Sequence, residues 1–365
     1  MQKLIGIICC TVLALGFHMQ VRAQVSEWPT PEAEQMYRQA KEYLSKGGVQ
    51  QAIVLYRQAL QLAPDMVLLY RDLAQALNLA GSYNEAYETI APILASKRAD
   101  EHIYQIAAIA LAGKGERKKA RNLLEKGIAQ FPHSGLLYYE LGKSYEAIGD
   151  KEYALDSWLQ GIENDPGYHL NYYEAAKMYA EAGQPIWVLL YGEIFVNLEQ
   201  YTTRSVEMRK LILTSYENLY RNTSSLPIPK YGQQSVGAEI AKDFETAVRQ
   251  IMLQLAPVVS DGITVENLTM LRTRFVMEWQ TTYAARFPFT LFIYHDKMLR
   301  TGHFDAYNQW LLGQVHNIHE FNAWTEFHSK AIPDYENWAL QNPFYPTAAD
   351  AYNKRELGKL FKKRR

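Results

Sequence analysis

The chain has 365 residues, of which 48% are hydrophobic and 21% are charged, so it can bury a core. Its 38 basic residues nearly balance its 39 acidic ones, and a chain without a strong positive field is not expected to bind nucleic acid. The only two cysteines, Cys9 and Cys10, are adjacent. This arrangement excludes a disulfide framework and a zinc site of any usual spacing.

Residues 1–23 have the pattern of a signal peptide. Lys3 precedes an apolar run from Leu4 to Phe17, and Val21 and Ala23 stand at the two positions that signal peptidase reads. As a helix this run would rise about 21 Å, which is short of a hydrocarbon layer of roughly 30 Å. We therefore predict cleavage before residue 24 and an exported product without a membrane span. An uncleaved anchor is the alternative.

A period of 34 residues follows. It is marked by five glycines, Gly47, Gly81, Gly115, Gly149 and Gly183. Seven residues before each glycine the side chain is small: Ala40, Ala74, Ala108, Gly142 and Ala176. Four residues before each glycine it is large: Tyr43, Leu77, Leu111, Tyr145 and Tyr179. Such spacing places small and large side chains on one helix face, and the glycine ends that helix before an antiparallel second one begins.

The second helix of each unit carries a similar pattern. A small or β-branched residue stands five positions after each glycine: Ala52, Ala86, Ala120, Ala154 and Val188. In three units a proline, Pro64, Pro132 or Pro166, stands 17 positions after the glycine and predicts the end of the second helix.

This pattern resembles the tetratricopeptide repeat (TPR) family, most fully over residues 135–168. The resemblance implies five units, at 33–66, 67–100, 101–134, 135–168 and 169–202, after a short lead at 24–32. The fifth unit departs from the family pattern at Val188 and Gly192. That departure either weakens the prediction of its second helix or marks the place where the repeats meet another part of the protein.

The resemblance also implies a superhelix of helical hairpins whose first helices line a concave groove that binds a protein or peptide partner. The groove residues so predicted are Tyr37, Lys41, Arg71, Gln75, Gln105, Tyr139, Lys143, Tyr173 and Lys177. Alternating tyrosines and basic residues are suited to bind a peptide that carries carboxylates and apolar side chains. The alternative is that these residues only solvate an open face.

The rest of the chain is predicted to be helical as well. Residues 203–221 are predicted to form a capping helix. Residues 222–237 are rich in serine, glycine and proline and are predicted to form a linker. Residues 238–365 carry aromatic side chains at helical spacing, with Thr264 as a helix N-cap. The predicted fold class is all-α, with a TPR-type superhelix followed by an aromatic-rich α-helical C-terminal domain.

The leading functional hypothesis is an exported adaptor or scaffold of a bacterial cell-envelope assembly, periplasmic or peripherally attached to the outer envelope. It assigns no catalytic residue, cofactor or metal. The alternative is an enzyme, such as a metal-dependent hydrolase, with a histidine-centred site in the C-terminal domain. Five histidines lie between His295 and His328, and His316, His319 and Glu320 have a spacing at which a helix could present them to one metal ion. A third possibility is a purely structural envelope element.

Overall fold

The computed structural model describes residues 28–221 and 241–354, and within these ranges every regular element is helical. The predicted signal peptide at 1–23 and the predicted linker at 222–237 lie outside the described residues, as do residues 355–365. No helix in the described ranges has both the length and the apolar character needed to span a membrane.

Ten helices form five consecutive antiparallel hairpins. Their bounds are α1 Pro31–Ser45, α2 Val49–Leu62, α3 Val67–Leu79, α4 Tyr83–Leu94, α5 Glu101–Gly113, α6 Arg117–Gln130, α7 Gly135–Glu146, α8 Lys151–Asn164, α9 His169–Glu181 and α10 Pro185–Leu198. Between the two helices of each hairpin lies one of the five periodic glycines, with φ between 67° and 84°. A residue that has a Cβ is strained at such a positive φ, which accounts for glycine at each turn.

Small residues on the first helices allow large residues of the second helices to pack closely. In the fourth hairpin, a Cβ at Gly142 in α7 would lie 2.2 Å from Nε1 of Trp158 in α8. The indole of Trp158 is fully buried and donates to the carbonyl of Tyr139 at 3.2 Å. The contact therefore requires glycine at this position.

The fifth hairpin differs because its second helix is buried on all sides. Twelve of the 14 residues of α10 are buried. Gly192 brings it against the next helix, since a Cβ there would lie 2.8 Å from the sulfur of Met208. The departure at Val188 and Gly192 thus marks a helix that meets the C-terminal half of the protein.

The described part of the second half contains eight α-helices of 3 to 18 residues. They are α11 Thr203–Tyr220, α12 Phe244–Gln254, α13 Val265–Thr282, α14 Thr290–Arg300, α15 Phe304–Asn308, α16 Gln314–His316, α17 Ile318–Phe327 and α18 Ala331–Gln341. A π-helical turn, Gln309–Gly313, joins α15 to α16. The hydroxyl of Thr264 caps α13 by accepting from the amide of Asn267 at 3.2 Å, as its sequence position predicts.

One aromatic-rich core joins α8 and the fifth hairpin to the C-terminal half. The largest cluster of buried residues runs from Ala154 in α8 to Phe344, which follows α18. Phe244 of α12 stacks on Tyr352 with 4.0 Å between ring centroids and also contacts Trp187 of α10. The first three hairpins contain smaller, separate clusters, one of which also includes Leu137 and Leu141 of α7. Helix α8 and the fifth hairpin therefore share one core with the C-terminal helices.

Candidate binding groove

The face formed by the first helices of the hairpins, α1, α3, α5, α7 and α9, is called the groove below. It carries the nine residues predicted from the sequence, because they stand ten or six positions before the turn glycines. Eight of the nine are at least partly exposed and Tyr173 is buried. Seven of them form two polar clusters and one pair. The side chains of Gln75 and Tyr139 have no polar partner among the described residues, and the Tyr139 ring lies 6.0 Å from the ring of Tyr168.

The first cluster centres on Asp72 of α3, which is only 3% exposed. Tyr37 of α1 donates its hydroxyl to this carboxylate at 3.0 Å, and Nε of Arg71 donates to its other oxygen at 2.9 Å. Nζ of Lys41 lies 3.8 Å away. Burial and the Asp72 charge raise the pKa of Tyr37 to about 12, so its hydroxyl stays protonated and can donate. Asp72 thus links α1 to α3.

Within the groove, a hydrogen bond links the third and fourth hairpins. The amide nitrogen of Gln105 in α5 donates to Glu140 of α7 at 2.7 Å. Burial raises the pKa of Glu140, which the Gln105 hydrogen bond and the charge of Lys143 only partly offset. A buried carboxylate that meets a neutral amide keeps its proton to a higher pH than an exposed one.

The second cluster centres on Glu174 of α9, which is 5% exposed. Nζ of Lys143 lies 3.4 Å from one carboxylate oxygen and Nζ of Lys177 lies 3.5 Å from the other. Lys177 also lies over the Tyr173 ring at 4.8 Å, and the Tyr173 hydroxyl donates to Glu207 of α11 at 2.6 Å. This cluster therefore extends from α7 to the capping helix.

The acidic residues at the centres of these contacts were not among the residues predicted from the sequence. Asp72, Glu140 and Glu174 all stand nine positions before a turn glycine, so the same 34-residue period could have identified them. They change the electrostatics of the groove, because its lysines and Arg71 already face carboxylates of the protein. The groove is accordingly less positive than its basic residues alone would indicate.

The histidine-rich segment of the C-terminal half does not form a metal-binding group among the described residues. Nε2 of His316 donates to the carbonyl of Ile263 at 2.9 Å, and its Nδ1 lies 3.5 Å from Glu320. His319 is exposed at the start of α17. Within residues 28–221 and 241–354, no three His, Cys, Asp or Glu side chains are placed to hold a metal ion.

Comparison with known families identifies the repeats. Residues 43–109 and residues 107–169 each match a model of the tetratricopeptide repeat family. No family model matches the C-terminal half. No curated protein matches the chain.

Several solved structures resemble the chain over about half its length. A thermophilic TPR protein from Thermus thermophilus is 18% identical, and the match covers 50% of this chain and 98% of that one with a TM-score of 0.42. Pseudomonas aeruginosa pilF is 17% identical over 52% of this chain and 91% of that one, with a TM-score of 0.40. PilW, described as a widely conserved type IV pilus biogenesis factor, is 16% identical over 55% and 96%, with a TM-score of 0.41.

Proposed function

We propose that this chain, whose repeat segment belongs to the tetratricopeptide repeat family, is an adaptor that binds a segment of a partner protein along the groove. The observation that carries the proposal is the set of polar contacts between consecutive first helices. Tyr37 contacts Asp72, Gln105 contacts Glu140, and Lys143 contacts Glu174. These contacts fix the positions of the groove side chains in the unbound protein, and this preorganisation lowers the entropic cost of binding.

The chemistry of the groove indicates which partner segment it would take. Because Lys41, Lys143 and Lys177 already face carboxylates, a partner carboxylate would have to displace an existing ion pair. Tyr37 and Tyr139 offer partly exposed rings, and Gln75 offers an exposed amide. We therefore expect an extended segment with apolar and neutral polar side chains, recognised by ring contact and amide hydrogen bonds.

Export to the bacterial envelope is part of the proposal. Its support is the signal-peptide pattern of residues 1–23. We propose a periplasmic or peripherally attached scaffold rather than an enzyme. No geometry within the described residues favours the hydrolase alternative, because the histidines that suggested it are exposed or bonded to the protein.

Site-specific photo-crosslinking in the native cell tests the groove. A photoreactive residue at Gln75, which is exposed and has no polar partner among the described residues, should crosslink the partner. The matched control is Lys126, which is exposed on α6, a second helix. We expect one dominant crosslinked product at residue 75 and none at residue 126.

A synthetic peptide from the crosslinked region of the partner completes the test. We expect it to bind the purified protein and to bind at least tenfold more weakly when Tyr139→Ser removes a groove ring, a loss of about 1.4 kcal/mol. Equal crosslinking at residues 75 and 126, or a peptide affinity unchanged by Tyr139→Ser, would contradict the proposal.

A further inference from the structure

A pocket lies where the repeats meet the C-terminal half. It has a volume of about 630 Å³, within the range of ligand-binding sites in proteins. Its walls come from the end of α10, the turn after it, α14, α18 and the segment after α18. Tyr201, Tyr294, Tyr335, Phe344 and Tyr345 give it five aromatic side chains. We call it the junction pocket.

The wall of the junction pocket contains an acid without a basic partner. Glu336 of α18 accepts a hydrogen bond from the hydroxyl of Tyr201 at 2.6 Å, and no Lys, Arg or His of the described residues pairs with it. Among the residues that the structure describes, none that lines the pocket is basic. Arg209 is close enough to influence the pKa of Tyr201 and Tyr335, but it is buried and lies over the Trp310 ring at 4.2 Å.

A second lining residue has an unused polar group. Tyr335 is 1% exposed, and its hydroxyl has no hydrogen-bond partner within the described part of the chain. A buried hydroxyl without a partner costs roughly 1–3 kcal/mol. A hydrogen-bond donor that reached this oxygen from the pocket would remove that cost.

The backbone at the pocket is strained as well. Tyr201 has a φ of 59°, the only positive φ at a non-glycine residue among the described residues. Its turn is held by Glu199, whose two oxygens accept from Nε and a terminal nitrogen of Arg204 at 2.9 and 3.0 Å. Such strain costs about 1–3 kcal/mol and is retained mostly at functional sites. Here it presents Tyr201, which is 70% exposed, to the pocket.

We propose that the junction pocket binds an arginine side chain of a partner protein. A guanidinium stacks on aromatic rings, carries five N–H donors and is more weakly hydrated than an ammonium group. It would neutralise Glu336 and donate to the hydroxyl of Tyr335. A neutral sugar would leave the charge of Glu336 uncompensated, and an acidic ligand would be repelled by it. Leu340 and Tyr345, 81% and 71% exposed at the pocket, would contact the apolar neighbours of that arginine.

This proposal does not depend on the groove, and a defined peptide tests it. The probe is a fluorescein-labelled peptide with the sequence Gly-Leu-Arg-Leu-Gly, titrated into the full-length protein and followed by fluorescence anisotropy. The matched probe carries citrulline, which keeps the shape of arginine without its charge. We expect the arginine peptide to bind at least tenfold more tightly than the citrulline peptide.

Two variants assign the binding to the pocket. Glu336→Gln should weaken the arginine peptide about tenfold and leave the citrulline peptide unchanged. Glu326→Gln, an exposed acid on α17 outside the pocket, should change neither. Equal affinities for the two peptides, or equal losses in the two variants, would overturn the proposal. Tyr345→Ala provides a second variant, at an exposed position that should not affect folding, and it should also weaken the arginine peptide.

Discussion

Glu193 of α10 is 4% exposed, and three side chains from the C-terminal half contact its Oε1. Tyr307 donates to this oxygen at 2.6 Å, Nε2 of His295 lies 2.7 Å from it, and Arg272 forms an ion pair with it. Burial alone would raise the pKa of Glu193. The charges of Arg272 and His295, with the hydrogen bonds from His295 and Tyr307, outweigh that effect and lower the pKa to about 2. The carboxylate therefore stays charged in the core.

Replacing Glu193 tests how much this network stabilises the protein. Glu193→Gln should lower the free energy of unfolding by about 3 kcal/mol at pH 7, because Arg272 would keep a buried charge without its partner. Adding Arg272→Met should restore part of the loss, since the unpaired charge is then gone. Urea unfolding of the wild type and both variants measures the differences. A double variant no more stable than Glu193→Gln would contradict the explanation.

The same variant has a defined pH dependence. The pKa of Glu193 is lower in the folded state, about 2 against an ordinary 4.5, so its contribution to stability is complete above pH 4.5 and is lost as the pH falls toward 2. Glutamine does not titrate. The stability difference between wild type and Glu193→Gln should therefore be constant above pH 4.5 and should narrow below it.

The contacts of Glu193 could not be predicted from the sequence. Arg272, His295 and Tyr307 lie 79 to 114 positions after Glu193, and the 34-residue period does not relate them to it. His295 was included only as part of a histidine-rich segment. In contrast, Asp72, Glu140 and Glu174 of the groove follow the 34-residue period, so they could have been predicted from it. A residue's role was predictable where the repeat geometry fixes its neighbours, and it was not predictable where distant helices supply them.

At the scale of the helix, the pairing of small and large residues specifies each hairpin. The 34-residue period correctly predicted that the five glycines lie in turns and that second helices end before Pro64, Pro132 and Pro166. It did not predict which faces of later helices are buried. In α11, for example, Val206 is 43% exposed, while Met208 and Ile212 are fully buried. The partners of α11 come from outside the repeats, so the period carries no information about them.

A methyl group added inside one hairpin tests this packing. Gly142→Ala should destabilise the protein by about 1–3 kcal/mol, because the new Cβ would displace the Trp158 indole and its hydrogen bond to Tyr139. Gly167→Ala is the matched control. A Cβ at that position meets only Asp165, at an ordinary distance of 3.6 Å, so we expect a change within about 0.5 kcal/mol. Chemical denaturation of both variants measures the contrast, and equal effects would contradict the close-packing argument.

The buried cores divide the molecule at a different place from the repeat pattern in the sequence. The repeat pattern runs to the fifth unit, but the buried cluster that contains α9 and α10 also contains α12, α13 and α14. The predicted boundary between the repeats, which end at residue 202, and a C-terminal domain stays a prediction. In packing terms, α10 is a central helix of the second half, with an apolar surface that the C-terminal helices cover.

This division predicts the order in which parts of the protein open. Native-state hydrogen exchange with increasing denaturant should show α9, α10, α13 and α14 losing protection together, because they share one core, whereas α1 to α4 should open at lower denaturant. Phe244→Ala removes a ring that contacts both Trp187 of α10 and Tyr352. It should lower protection in α10 as well as in α12, while Leu73→Ala, in the separate cluster of the first hairpins, should leave α10 unchanged. If α13 and α14 opened independently of α9 and α10, the C-terminal half would be a separate folding unit and the shared core would not couple the two.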